Sequence, residues 1–196
     1  PAVSRVDFDF SRCGYALCIV DSGADHADLT GEYAAIPAEM KAVASHWNTD
    51  VLRHVSEEEF FRELPRLRSS CGDRAVLRAI HFFAENRRAA QEADALSRGY
   101  FAEFLRLCRA SGASSFMYLQ NVYCSSHPAQ QAVSVALAVA DRLLSDQGAL
   151  RVHGGGFAGT IQAFVPQASL SSFCSEMEAM LGKGCCHPLH IRSAGG

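Results

Sequence analysis

The chain has 196 residues, 48% of them apolar and 20% charged, with a formal charge of −3. That composition excludes a disordered polymer, and a pI near 6.3 gives no footing for nucleic acid or an anionic membrane as partner. No apolar run reaches the roughly 20 residues of a membrane span and no secretion-signal pattern opens the sequence, so a single cytoplasmic domain is expected.

Residues 3–10 alternate Val3, Arg5, Asp7 and Asp9 with Ser4, Val6, Phe8 and Phe10, which predicts a half-exposed strand. Residues 15–20 are apolar on both faces and predict a buried strand, ended by Asp21-Ser22-Gly23. From 29 to 47 the period becomes helical, with Tyr33, Ile36, Met40, Val43 and Ala44 in one stripe. Pro37 lies inside it and either kinks one helix or starts a second. A short helix over 51–64 is expected, with Ser56 as cap and Glu57, Glu58 and Glu59 near its positive end. A turn at 69–72 leads to a long helix over 73–98, with Val76, Leu77, Ile80, Phe83, Ala84 and Ala90 inward and Gly99 as stop. A helix over 100–109 follows, then a Ser/Gly break at 111–115. An apolar helix is expected from Ser125-Ser126-His127-Pro128 through 144. Strands at 149–153 and 160–165, a helix over 168–181 and a last strand at 188–192 complete the reading. Strands with helices inserted mid-chain make an α+β domain.

The eight cysteines favour reduced thiols, because several occupy apolar positions of the predicted elements. Cys185-Cys186-His187 invites a metal reading, but no second Cys/His pair at zinc spacing accompanies it, and no metal site is expected.

Two stretches carry the functional signal. The first is Arg151-Val152-His153-Gly154-Gly155-Gly156-Phe157-Ala158-Gly159-Thr160, between two predicted strands. Gly154, Gly156 and Gly159 match the dinucleotide fingerprint, yet a strand follows where that fingerprint needs a helix. Gly154 and Gly159 have P-loop spacing, yet Thr160 stands in place of the lysine. A hairpin that admits a neighbouring backbone remains an equal reading. The second stretch runs from Asp21 to Tyr33 and leaves a strand to enter a helix, with His26, three aspartates and Glu32. These groups suit a polyhydroxylated ligand, or they fix the loop, with Tyr33 in the core and its hydroxyl bonded.

Together the two stretches resemble the C-terminal half of a galactokinase, in the superfamily of galactose, homoserine, mevalonate and phosphomevalonate kinases. The residues that carry the resemblance are Asp21-Ser22-Gly23 and His26 to Tyr33, the run from Ala34 to Ala44, and Gly154-Gly155-Gly156-Phe157-Ala158-Gly159. It implies a ferredoxin-like antiparallel sheet packed with helices, with an inserted helical region, as in the superfamily's C-terminal domain. It also implies ATP- and Mg²⁺-dependent phosphoryl transfer to the anomeric hydroxyl of galactose or a related sugar. By resemblance Tyr33 contacts the sugar, and Asp28 and Gln120 are further candidate sugar contacts. Gly154, Gly155, Gly156, Phe157 and Gly159 support the phosphate site.

No catalytic residue is expected here. In the family the arginine, the aspartate base and the Pro/Gly/Ser-rich ATP loop with its Mg²⁺ ligands belong to the N-terminal domain, which is the expected partner of residues 1–196. Gly112-Ala113-Ser114-Ser115 resembles part of that loop but lacks its leading Pro-x-Gly and follows a helix. Phosphoryl transfer needs charge neutralisation by metal and cations, so the chain alone is expected to be inactive. It also carries Ser114-Ser115-Phe116-Met117-Tyr118-Leu119-Gln120-Asn121 where better-known galactokinases have a Ser-His-x-Ser-Leu-Arg segment. That departure leaves the sugar open, with Gln120 and Asn121 either bonding hydroxyls or sitting in solvent. Two other readings stand beside the kinase: a kinase-like sugar and ATP sensor that regulates transcription without turnover, and an interaction domain.

Overall fold

A computed structural model describes residues 5, 6, 8–24 and 29–189. Along the chain these form β1 (Tyr15–Asp21), α1 (Thr30–Ala44), α2 (Glu57–Arg62), α3 (Leu64–Cys71), α4 (Asp73–Ser97) and α5 (Phe101–Ser114). There follow α6 (Ala132–Leu144), β2 (Ala149–Val152), β3 (Thr160–Pro166), α7 (Leu170–Leu181) and β4 (Cys186–Leu189). The sheet order is β2-β3-β1-β4 with every neighbour antiparallel. Helix between β1 and β2, a hairpin from β2 to β3, and helix between β3 and β4 make this a ferredoxin-like α+β fold. Its first crossover is enlarged by α1 to α5.

Side-chain alternation divides the sheet into two working faces. Cys18, Val20, Ile161, Ala163, Val165 and Val152 point to one side and pack with α6 and α7 through Val133, Ala136, Ala140, Phe173 and Met177. Each fully buried Val or Ile there contributes about 1.5–3 kcal/mol. Leu17, Tyr15, Ala149 and Phe164 point to the other side and meet α5 through Phe104, Leu105, Leu107 and Cys108. A second core lies wholly among helices, where Val43, Leu52, Phe60, Leu67, Val76, Ala79 and Phe83 join α1 to α4.

Several elements differ from the sequence expectation. The strand expected over 3–10 is not formed by its described residues: 5, 6, 8 and 9 carry no regular structure, and Phe10–Arg12 is a 3₁₀ turn. Phe8 and Phe10 instead join an aromatic cluster, with Phe8 stacked on Phe101 at 5.7 Å and Phe10 6.2 Å from Phe164. The alternation therefore reflects ring burial rather than strand pairing. Pro37 sits inside one continuous α1, at an exposed position. The region 51–64 splits into a 3₁₀ turn at Leu52–His54 and α2, where the Ser56 hydroxyl accepts from the Glu59 N–H. The expected turn at 69–72 shrinks to Gly72, because α3 runs to Cys71. Ala90 is exposed, and the inward face of α4 instead includes Arg78 and His81.

The expected break at 111–115 is absent. α5 continues to Ser114 and passes into a π-helical turn at Ser115–Leu119. The serines there are interior hydrogen-bonding groups: Ser111 donates to Glu85 Oε2 at 2.6 Å, and Ser114 Oγ lies 2.9 Å from His81 Nδ1. α6 starts at Ala132, later than expected. β4 begins at Cys186, and positions 190–192 of the expected last strand lie outside the described residues.

Candidate functional site

The β2–β3 hairpin brings its glycine-rich connection against the start of α1. Tyr33, one turn into that helix, donates its hydroxyl to the Gly156 carbonyl at 2.7 Å. Its ring lies so close to Gly155 that an added Cβ would sit 2.7 Å from Cε1. The ring also meets Phe157 edge-on, with centroids 5.2 Å apart. Burial pushes the Tyr33 phenol up, which keeps it neutral and able to donate. The two stretches singled out in the sequence therefore form one contact cluster, which Leu29, Cys124 and Ala158 complete.

Asn121 holds the loop from the other side. Its carbonyl accepts the Phe157 N–H at 2.5 Å, and its side-chain amide donates to the Gly155 carbonyl at 3.1 Å. It is only 3% exposed, so it does not face solvent, and its side-chain oxygen has no hydrogen-bond partner among the described residues. Gly156 has φ +83°, and a Cβ there would overlap the Asn121 carbonyl oxygen. Phe157 adopts φ 58°, a region that a bulky residue enters only when its surroundings hold it there. Asn121, Tyr33 and the Ala158 N–H to Gly156 carbonyl bond at 2.7 Å provide that hold. At the hairpin's far end Ser22 ties β1 to the loop, with its N–H and hydroxyl both donating to the Gly159 carbonyl, at 2.9 and 2.6 Å.

Other elements fix this cluster in place. Arg78 on α4, 1% exposed, donates to Glu39 on α1 at 2.8 Å and to the Leu119 carbonyl at 3.2 Å. It thereby joins α1, α4 and the π turn. Arg74 bonds the same Glu39. Gln120 closes the π turn at φ 55°, its N–H bonded to the Ser115 carbonyl at 2.8 Å. Asp28 and His26 lie outside the described residues.

A groove of about 710 Å³ opens beside the loop, lined by Ala24, Leu29, Cys124, His127, Gln131 and Phe157 among others. At its wall the Cys124 thiol donates to Glu32 Oε1 at 3.3 Å and lies 2.8 Å from Ser126 Oγ, which in turn lies 3.0 Å from His127 Nδ1. Among the described residues the group of three His, Cys, Asp or Glu side chains close enough to share an ion consists of cysteines, whereas Mg²⁺ takes oxygen donors. Of the loop's N–H groups, those of Phe157 and Ala158 are spent inside the protein, so the loop's own bonds serve its shape.

Sequence reasoning missed two features. Asn121 is the clamp of the loop, and a polar residue next to Gln120 gave no sign of burial in the sequence. Cys18 and Cys174 accompany Cys186 through strand pairing and helix packing, not through any spacing along the chain.

Comparisons with known proteins fit this arrangement. No family model matches the chain. It is 30% identical over 151 residues to a galactokinase of Mannheimia succiniciproducens, covering 77% of this chain and 37% of that protein. It is 26% identical over 157 residues to a galactokinase of Actinobacillus pleuropneumoniae serotype 5b, covering 80% and 39%. The chain thus spans well under half the length of these curated relatives. Among solved structures it superposes on Lactococcus lactis galactokinase complexed with galactose, with a TM-score of 0.67 and 22% identity, over 94% of this chain and 45% of that one. L. major mevalonate kinase in complex with R-mevalonate superposes with a TM-score of 0.54 at 12% identity, over 94% of this chain and 44% of that one. The chain is similar to part of these galactokinases and shares the fold of the galactokinase and mevalonate kinase structures.

Proposed function

We propose that this chain is the C-terminal, sugar- and phosphate-site-supporting domain of an ATP-dependent kinase acting on the anomeric hydroxyl of galactose or a related sugar. The observation that carries the reading is the meeting of Tyr33 with Gly155, Gly156 and Phe157, the last of which lines the groove beside the loop. Homology to galactokinases over about four fifths of the chain supports it. In this reading the N-terminal domain supplies the base, the arginine and the groups that hold ATP and Mg²⁺. The present chain contributes position: a bare-backbone hairpin that leaves room for a phosphate-binding segment, held in shape by Asn121 and Tyr33. Tyr33 borders the sugar, Asp28 and Gln120 are its further candidate contacts, and Gly154 and Gly159 let the hairpin turn. Free thiols at all eight cysteines agree with a cytoplasmic setting, and among the described residues no helix is long and apolar enough to cross a membrane.

The test is ADP formation by the protein that joins this chain to the N-terminal domain, with ATP, Mg²⁺ and galactose. Sugar-dependent ADP release with phosphate on O1, and a several-fold rise in sugar KM for Tyr33→Ala, are expected. Sugar and ATP binding without turnover would replace the kinase by the transcriptional sensor. Absence of sugar binding would overturn the assignment, and an unchanged sugar KM in Tyr33→Ala would remove Tyr33 from the sugar site.

A further inference from the structure

Away from the groove, three thiols from three elements converge on the α6/α7 side of the sheet. Cys18 comes from β1, Cys186 from β4 and Cys174 from α7, and their sulfur atoms all lie within 4.8 Å of one another. The sheet register explains the meeting. Val20 pairs directly with Cys186, so Cys18, two residues earlier on β1, shares its face and lies diagonal to it. α7 covers that face, with Phe173 and Met177 buried against the sheet. A fourth thiol, Cys185, lies 4.0 Å from Cys186 through its sulfur. None of the four is in a disulfide.

We infer that Cys18, Cys174 and Cys186 form a binding site for a soft, thiolate-preferring d¹⁰ cation, with trigonal Cu⁺ as the ion that three sulfurs satisfy. Sulfur is the donor that selects Cu⁺ and Zn²⁺ over hard ions. Three atoms within 4.8 Å of one another share a point within about 2.8 Å of each, against about 2.3 Å for a zinc–sulfur bond. Side-chain adjustment of about half an ångström closes the gap, less than a rotamer change supplies. The surroundings are apolar, with Val20, Phe173 and Met177 in the same cluster, so a complete set of sulfur ligands suits the site better than one that keeps a water. Structural Zn²⁺ is four-coordinate, and here it would recruit Cys185 as the fourth sulfur. Binding releases the thiol protons to solvent as the thiolates form. The ion would fasten β4, a four-residue edge strand with mostly exposed side chains, to β1 and α7.

The experiment is anaerobic competition titration of the reduced full-length protein with Cu⁺ and, separately, Zn²⁺, each against a chromophoric chelator. Wild-type protein is expected to take up one ion that Cys174→Ser and Cys186→Ser bind at least tenfold more weakly. Cys185→Ser separates the ions, since it leaves a three-sulfur Cu⁺ site intact and weakens a four-sulfur Zn²⁺ site. No uptake of either ion by wild-type protein, or equal uptake by wild type and Cys174→Ser, overturns the site. Should a serine variant fail to fold, hydrogen exchange on wild-type protein decides: added metal must slow exchange of the β1–β4 amides, and unchanged exchange overturns the proposal.

Discussion

At the scale of single residues, the glycine loop shows how backbone conformation and close approach act together. Gly156 combines φ +83° with contact to Asn121, so any side chain there meets both a conformational and a steric obstacle. The left-handed conformation alone costs a non-glycine residue about 1–2 kcal/mol, and displacing a packed backbone adds about 1–3 kcal/mol. Gly156→Ala is therefore expected to lower stability by about 3 kcal/mol, read from the urea midpoint at unchanged m-value. A midpoint within about 0.5 kcal/mol of wild type would mean that the Asn121 clamp yields without cost. Gly155 differs, because the atom that an added Cβ meets belongs to the Tyr33 ring, which can swing away and carry its hydroxyl off Gly156. The sequence announced the glycines plainly. It did not announce Phe157 at φ 58°, because nothing in a phenylalanine's neighbours along the chain predicts that tertiary contacts will hold it there.

At the scale of elements, the α4–α5–β2 junction is where pattern reading failed and for a definable reason. A Ser/Gly run reads as a chain break when serines are taken to compete with the backbone for hydrogen bonds. Here Ser111 and Ser114 satisfy Glu85 and His81 across the helix pair, so α5 continues. By contrast, β1, β3, α1 and α4 were legible, because their apolar periods run long enough to outweigh local ambiguity. The junction also sets a pH dependence. Burial pushes the His81 imidazole from 6.5 down to about 4, and the nearby Arg88 and Arg151 charges press in the same direction. Between those values the unfolded chain binds the proton that the folded chain refuses. Stability is therefore full above pH 6.5, falls as pH drops, and levels near pH 4. The fall attributable to His81 is about 3 kcal/mol at 1.36 kcal/mol per pKa unit. Chemical denaturation from pH 7.5 to 4 should show that slope, and His81→Gln should remove it while leaving the carboxylate contributions. An identical slope in the variant would assign the acid sensitivity elsewhere.

At the scale of the whole molecule, α1 to α4 build a core of their own, while α5 packs on the sheet. Phe60, Leu67, Val43 and Val76 pack among α1 to α4, while Ile161, Val165, Phe173 and Met177 pack between the sheet and α6 with α7. The candidate site lies between these cores: Tyr33 comes from an element of the helical core, and the glycine loop from a hairpin of the sheet. This division follows from topology, since helices α1 to α6 all intervene between β1 and β2 while the sheet closes by antiparallel pairing. The helical core is thus expected to open as a sub-global unit. Phe60 is fully buried and sits 5.1 Å from the Phe83 ring, so Phe60→Ala should cost about 3–5 kcal/mol through the cavity it leaves. Native-state hydrogen exchange should place that loss in α2, α3 and the first half of α4, with β1 and β3 amides keeping their protection. α1 belongs to the destabilised unit, so Tyr33 should lose its hold on Gly156 while the hairpin that carries Gly156 stays formed. Equal loss of protection in the sheet and the helices would show instead that the two cores fold as one, and that the site is as rigid as either.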